Sequence, residues 1–126
     1  MPIVEIRALP QEPPVDVAAV LGRVCLDLAK LLECEPRHVW ATWETLPAGS
    51  FVEADAPQRA QPRDTHPPMV RILAMEGRSP EMIARMLECV SQSLAAMLPA
   101  IDADNVFARY EELRKGRVAW GGRVQT

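Results

Sequence analysis

Residues 68–98 read PMVRILAMEGRSPEMIARMLECVSQSLAAML, and residues 2–32 read PIVEIRALPQEPPVDVAAVLGRVCLDLAKLL. Placed one above the other, Pro2 falls on Pro68 and Pro14 on Pro80. Val17, Val20, Leu21, Val24, Leu28, Leu31 and Leu32 fall on Ile83, Met86, Leu87, Val90, Leu94, Met97 and Leu98, an apolar stripe at helical spacing in both copies. After a one-residue shift, VWATWETLPAG meets VFARYEELRKG. Val39, Trp40, Trp43, Glu44, Leu46 and Gly49 then fall on Val106, Phe107, Tyr110, Glu111, Leu113 and Gly116. A stripe alone arises by chance; a stripe with prolines, aromatics and a closing glycine in the same order marks a repeat.

Each copy reads strand, helix, strand. Residues 3–8, 15–33 and 38–46 form the first set, and 69–75, 80–98 and 105–112 the second. Pro14 suits the first turn of a helix, where a missing N–H costs nothing, and Ser79 is a good N-cap ahead of Pro80. The chain is one domain over 1–126, with repeat one at 2–49, a Pro-rich polar linker at 50–67 and repeat two at 68–122. Phe51–Val52 is a candidate short strand inside the linker. A strand–helix–strand unit implies a right-handed crossover between parallel strands. Two units then give an α/β (α+β) fold: tandem β-α-β repeats in a four-stranded mixed sheet with two helices on one face.

That arrangement leaves the other sheet face bare. Yet VWATW and MVRILAM carry apolar residues at both parities of the strand, as strands covered on both faces do. A bare apolar face of that size predicts an oligomer packed through its sheets.

Composition narrows the function classes. The chain has 126 residues, 48% of them hydrophobic and 25% charged, with net charge −3. An acidic balance argues against a nucleic-acid surface. Cys25, Cys34 and Cys89 have no CxxC spacing, so neither a disulfide framework nor a zinc site is implied, and a reducing cytoplasm is the expected compartment. No signal-peptide pattern and no membrane-length apolar run is visible. His38 and His66 lack metal-ligand spacing and read as structural. Trp40 and Trp43 read as core. The order βαββαβ is shared with ferredoxin-like domains, so topology alone names no function.

The opening MPIVEIR, the element EGRS at 76–79 and the closing LRKGRVAWGG at 113–122 together resemble the tautomerase superfamily. Its 4-oxalocrotonate tautomerase members are single β-α-β units. Two fused units resemble the longer members, the cis-3-chloroacrylic acid dehalogenases, malonate semialdehyde decarboxylases and macrophage migration inhibitory factors. The resemblance implies a trimeric tautomerase fold, a homotrimer with its three sheets facing inward, and a cofactor-free enzyme acting on a small anionic carboxylate substrate. It makes Pro2 the catalytic general base once Met1 is removed. It makes Arg78 the substrate-binding arginine and Trp120 an apolar wall near the proline. Arg109 lies two residues beyond the place of a second family arginine, which is Phe107 here. It is a candidate second cation for the substrate, or a salt-bridge partner of Glu111 or Glu112. No metal ligand is implied.

Pro68 is the internal control: it is the counterpart of Pro2, but its nitrogen lies in a peptide bond and has no basicity. Departures from the family pattern narrow the reaction. Met75 and Glu76 stand where the dehalogenase and decarboxylase have a second arginine, and Trp120 stands at the dehalogenase's water-activating glutamate. Arg37 or His38 stands near the decarboxylase's helper aspartate. Proton transfer survives these losses, since it needs only a base, an anion clamp and apolar walls. The expected function is a tautomerase or isomerase acting on a carboxylate-bearing enol or 2-oxo acid. The alternatives are hydration, dehalogenation or decarboxylation of a three-carbon acid, and a non-catalytic ferredoxin-like binding module.

Overall fold

The two prolines that open the repeats do the same structural work. The Pro2 carbonyl accepts a hydrogen bond from the Trp40 amide, and the Pro68 carbonyl accepts one from the Phe107 amide, each at 3.1 Å. Each bond starts a parallel ladder. The computed structural model describes residues 1–61, 66–99 and 101–126. Strand β1 (Ile3–Ala8) lies parallel to β2 (Trp40–Thr45), with helix α1 (Val17–Leu32) between them in sequence. Strand β3 (Phe51–Glu53) and β4 (Ala56–Gln58) form a hairpin in the inter-repeat segment. Strand β5 (Met69–Met75) lies parallel to β6 (Phe107–Leu113), with α2 (Pro80–Met97) between them. The four long strands make one mixed sheet in the order β2-β1-β5-β6, joined at its centre by the antiparallel β1–β5 pair. A two-stranded C-terminal hairpin follows, β7 (Ala119–Trp120) and β8 (Arg123–Val124).

Alternation along the central strands sorts the two faces. Val4, Ile6 and Ala8 of β1 and Val70, Ile72 and Ala74 of β5 are buried beneath the helices. Val20, Val24 and Leu28 of α1 and Met86, Val90 and Leu94 of α2 meet them. Each such side chain, fully buried, contributes about 1.5–3 kcal/mol. The repeat's apolar stripe is therefore the core.

The helix starts differ between the copies. Pro80 is in the first turn of α2, and the Ser79 hydroxyl accepts from the Met82 amide (3.1 Å), as expected. In the first copy the expectation of Pro14 in the first turn is corrected. The Asp16 carboxylate accepts from the Ala19 amide (3.2 Å) and caps a helix that begins at Val17, leaving Pro14 outside it. The Asp16 carboxylate satisfies an amide of the first turn that would otherwise lack a partner, so the helix starts behind it. The short strand expected at Phe51–Val52 is β3. The expected linker loop also holds β4; residues 62–65 of that expectation lie outside the described residues.

The opposite sheet face carries Ile3, Glu5, Trp40, Thr42, Met69, Arg71, Leu73, Phe107, Arg109 and Glu111. Trp40 is 47% exposed and Phe107 55%. The core assignment of Trp40 is therefore corrected: its parity directs it away from the helices. Trp43, of opposite parity, packs against the core as expected.

Candidate functional site

Pro2, Arg78 and Trp120 come from three distant parts of the sequence and line one cavity of about 330 Å³. Met1, Leu32, Cys34 and His38 complete it. Pro2 is held by its place at the start of β1, with its carbonyl committed to Trp40, and is itself buried. Arg78 is delivered by the turn between β5 and α2. Gly77 has φ +113° there, a backbone conformation that favours glycine, and Ser79 caps the helix immediately after. The guanidinium lies 3.5 Å from the Met75 carbonyl, and it forms no ion pair with a carboxylate among the described residues. The nearest carboxylate in sequence, Glu76, turns away and accepts from the Lys115 amide (3.1 Å). Arg78 thus keeps an unneutralised charge at the cavity wall.

Trp120 arrives on the C-terminal hairpin. Gly121 and Gly122 have φ +59° and +74°, the left-handed pair that a two-residue hairpin loop demands. Trp120 pairs with Arg123 across that loop and is 38% exposed.

Leu32, Cys34 and His38 belong to the connection from α1 to β2. Glu33 closes α1 in the left-handed region (φ +54°), and the Cys34 amide reaches back to the Ala29 carbonyl at 3.0 Å. A single turn of 3₁₀ helix at Pro36–His38 then leads into β2. These residues were missed by periodicity, because a helix-to-strand connection has no period. The repeat did hold a signal. If the chain after His38 pairs with the strand that Pro2 opens, the residues just before Trp40 must lie beside Pro2. His38, read from the sequence as structural, faces the same cavity as Pro2.

The electrostatics of the cavity act on an amine. Burial lowers the pKa of the amino group of Met1 below its ordinary value, and the charge of Arg78 lowers it further; Cys34 acts in the opposite sense. Each effect has its expected sign, because burial and a nearby cation both disfavour an ammonium.

Arg109 is placed elsewhere. It stands on the open sheet face with Arg71 and Phe107, around a separate depression of about 380 Å³. Its Nη1 lies 3.5 Å from Glu111. Of its two expected roles, the salt bridge is the one its surroundings in this chain provide. Within one chain Arg109 does not join Pro2 and Arg78. Among the described residues there is no cluster of His, Cys, Asp or Glu able to hold a metal ion, and no helix long and apolar enough to cross a membrane.

No protein-family model and no curated protein matches the chain. Solved structures do. A fused 4-OT in an asymmetric trimer superposes with a TM-score of 0.80 at 15% identity, over 97% of this chain and 94% of that one. A member of the cis-3-chloroacrylic acid dehalogenase family superposes with a TM-score of 0.74 at 17% identity, over 98% and 83%. The macrophage migration inhibitory factor of Toxoplasma gondii gives 0.62 at 11%, over 98% and 97%. The chain shares the fold of these structures. As in the fused 4-OT structure, both β-α-β units lie in one chain. At these identities the likeness concerns the fold alone.

Proposed function

We propose that this chain is a cofactor-free tautomerase or isomerase that moves a proton within a small enol or 2-oxo acid bearing a carboxylate. The observation that carries the reading is the convergence of Pro2, Arg78 and Trp120 on one cavity. Removal of Met1 makes the Pro2 nitrogen a secondary amine at the cavity wall. Burial and the charge of Arg78 lower the pKa of the Met1 amine at this wall, and a Pro2 amine would stand beside the same guanidinium. A lowered pKa leaves it as free base near neutral pH, the form that abstracts a proton from carbon. Arg78 holds the carboxylate through its planar fork and stabilises negative charge as the enolate develops. Trp120 and Leu32 supply apolar wall, which strengthens both effects by excluding water.

The reading includes a homotrimer. The fold leaves one sheet face uncovered, with Trp40 and Phe107 half exposed on it. Fused 4-OT proteins of this fold form trimers. A second and third copy would cover that face. Hydration, dehalogenation and decarboxylation are less well supported, because among the described residues that line the cavity there is no Asp or Glu to activate water.

The test is ketonisation of phenylenolpyruvate or 2-hydroxymuconate by wild type and by Pro2→Ala, with intact mass recorded for both. Wild type without Met1 should be active, and Pro2→Ala should lose at least 100-fold in kcat with its oligomeric state unchanged. Equal activity in the variant would rule out the proline mechanism. A retained Met1 with no turnover would favour a binding module.

A further inference from the structure

The fold has two equivalent poles, and comparing them singles out a residue. The cavity at one pole is built from Pro2 and His38 of the first repeat and Arg78 of the second. The repeat correspondence carries these three onto Pro68, Asn105 and Glu12. The architecture is shared. His38 ends the 3₁₀ turn Pro36–His38 before β2, and Asn105 ends the matching turn Ala103–Asn105 before β6. Each turn leads into the strand whose first amide bonds to its proline carbonyl. The chemistry is not shared. At the corresponding positions the sequence has an amide nitrogen for the amine, a carboxylate for the guanidinium, and a carboxamide for the imidazole. A carboxamide hydrogen-bonds as an imidazole does but does not carry a proton near neutral pH. The amine and the imidazole thus both lie at the Pro2 pole, beside the guanidinium as a fixed cation.

His38 is also available. It is exposed, it lines the cavity, and its imidazole makes no hydrogen bond, ion pair or ring contact among the described residues. The charged neighbours in its own turn, Glu35 and Arg37, pair with each other at 2.6 Å. The titratable and charged groups facing it across the cavity are the amine, the Cys34 thiol and the Arg78 guanidinium.

We infer that His38 is the second acid–base residue of the cavity, handling the proton on the substrate's oxygen while Pro2 handles the proton on its carbon. This rests on the proton-transfer reading above. In the enolising direction the Pro2 amine takes a proton from the carbon beside the carbonyl. The C–H electron pair becomes the C=C bond, the carbonyl π pair moves to oxygen, and the His38 imidazolium gives that oxygen its proton. Pro2 ends as ammonium and His38 as neutral imidazole, and water returns the proton between them. The substrate gains and loses one proton, as an isomerisation requires. The ketonising direction is the reverse. The group class selected is a 2-oxo acid or enol whose oxygen reaches His38 while its carboxylate is on Arg78.

The experiment uses phenylpyruvate enolisation with His38→Asn, which installs the residue of the inert pole, and with His38→Ala. Wild type should show a bell-shaped pH dependence of kcat/KM, since one base and one acid must both be in the correct form. His38→Asn should lose about 100-fold in kcat with little change in KM, and should lose the alkaline limb. Added imidazole should restore part of the activity of His38→Ala and none to Pro2→Ala. A variant within twofold of wild type, or a slowed variant that keeps both limbs and ignores imidazole, overturns the assignment. Circular dichroism and sedimentation of both variants separate these outcomes from misfolding. If Pro2→Ala is inactive while His38→Asn is normal, this inference fails and the proline mechanism stands. If Pro2→Ala is active, the proline mechanism itself fails.

Discussion

Glu5 and Arg71 occupy the same position of the two repeats, and they are also each other's partners across the central β1–β5 ladder. Arg71 Nε donates to Glu5 Oε1 at 2.7 Å, and its Nη1 lies 3.3 Å from Glu111. This position sits on the pseudo-twofold axis that relates the repeats. Two identical single-unit chains joined the same way would set a residue against its own copy, and a charged side chain there would face its like. Fusion lets the two copies diverge, so the axis holds opposite charges. Cross-strand pairs of this kind favour the register that makes them.

That arrangement predicts a sign pattern. Arg71→Glu sets three carboxylates together at Glu5, position 71 and Glu111, and should lower the melting temperature more than Arg71→Ala does. The difference should shrink in high salt, because the pair is open to solvent. The exchange Glu5→Arg with Arg71→Glu should recover part of the loss. Thermal melts at two ionic strengths check this; equal melting of the two single variants would show that the pair is inert.

A second pair ties the helices. The Ser93 hydroxyl, buried on α2, donates to Asp27 Oδ2 on α1 at 2.7 Å, and Arg23 Nε reaches the same oxygen at 2.7 Å. Burial pushes the Asp27 carboxyl up, but the bond from Ser93 and the bond and charge of Arg23, with Lys30 behind, bring it below its ordinary value. A depressed carboxyl pKa gives stability that is present above the unfolded value of about 3.9 and lost as pH falls through the folded value. Ser93→Ala should therefore cost about 1–2 kcal/mol at pH 7. The gap from wild type should close in acid as Asp27 is protonated. Urea melts at pH 7 and pH 3 measure it.

The fold was legible in the sequence because the core stripe and the strands repeat: Val20, Val24 and Leu28 announce Met86, Val90 and Leu94. What the repeat could not supply was local detail that the copies do not share. Pro14 and Pro80 correspond, but Asp16 has no counterpart acting as a cap, so α1 begins later relative to its proline than α2 does. For the site, Pro2, Arg78 and Trp120 were legible through their motifs. His38 and Cys34 were not, because a connecting turn is positioned by the chain it joins and not by a pattern of its own. Arg109 was placed on the correct side of its strand, but side does not fix distance from Pro2.

The open sheet face predicts assembly. Trp40 and Phe107 are counterparts in the two repeats and are half exposed on the two outer strands, β2 and β6. If three copies pack through this face, Trp40→Glu or Phe107→Glu buries a charge with no partner, which costs several kcal/mol. Each should weaken association at least tenfold, while Glu substituted for exposed Leu26 on α1 should leave it unchanged. Sedimentation velocity across a concentration series separates the cases. A monomeric wild type would end the trimer proposal.

Arg78 gives the cavity two separable properties. As a fork it holds a carboxylate, and as a charge it lowers the pKa of the Met1 amine, after burial and against the opposing effect of Cys34; a Pro2 amine at the same wall would face the same cation. The free amine is the active form, so activity should rise with pH through a value below that of an ordinary terminal amine. Arg78→Ala removes the cation and leaves the burial, so this rising limb should move to higher pH. KM should also increase about 10–100-fold, the loss expected when a charged hydrogen bond is removed. Arg78→Lys should return the limb toward its wild-type position, because the charge is restored. It should recover less of KM, because an ammonium lacks the bidentate fork. Profiles of kcat/KM against pH for the three proteins, with KM measured at the optimum of each, test both properties. A limb that stays in place in Arg78→Ala would mean that burial alone sets the amine.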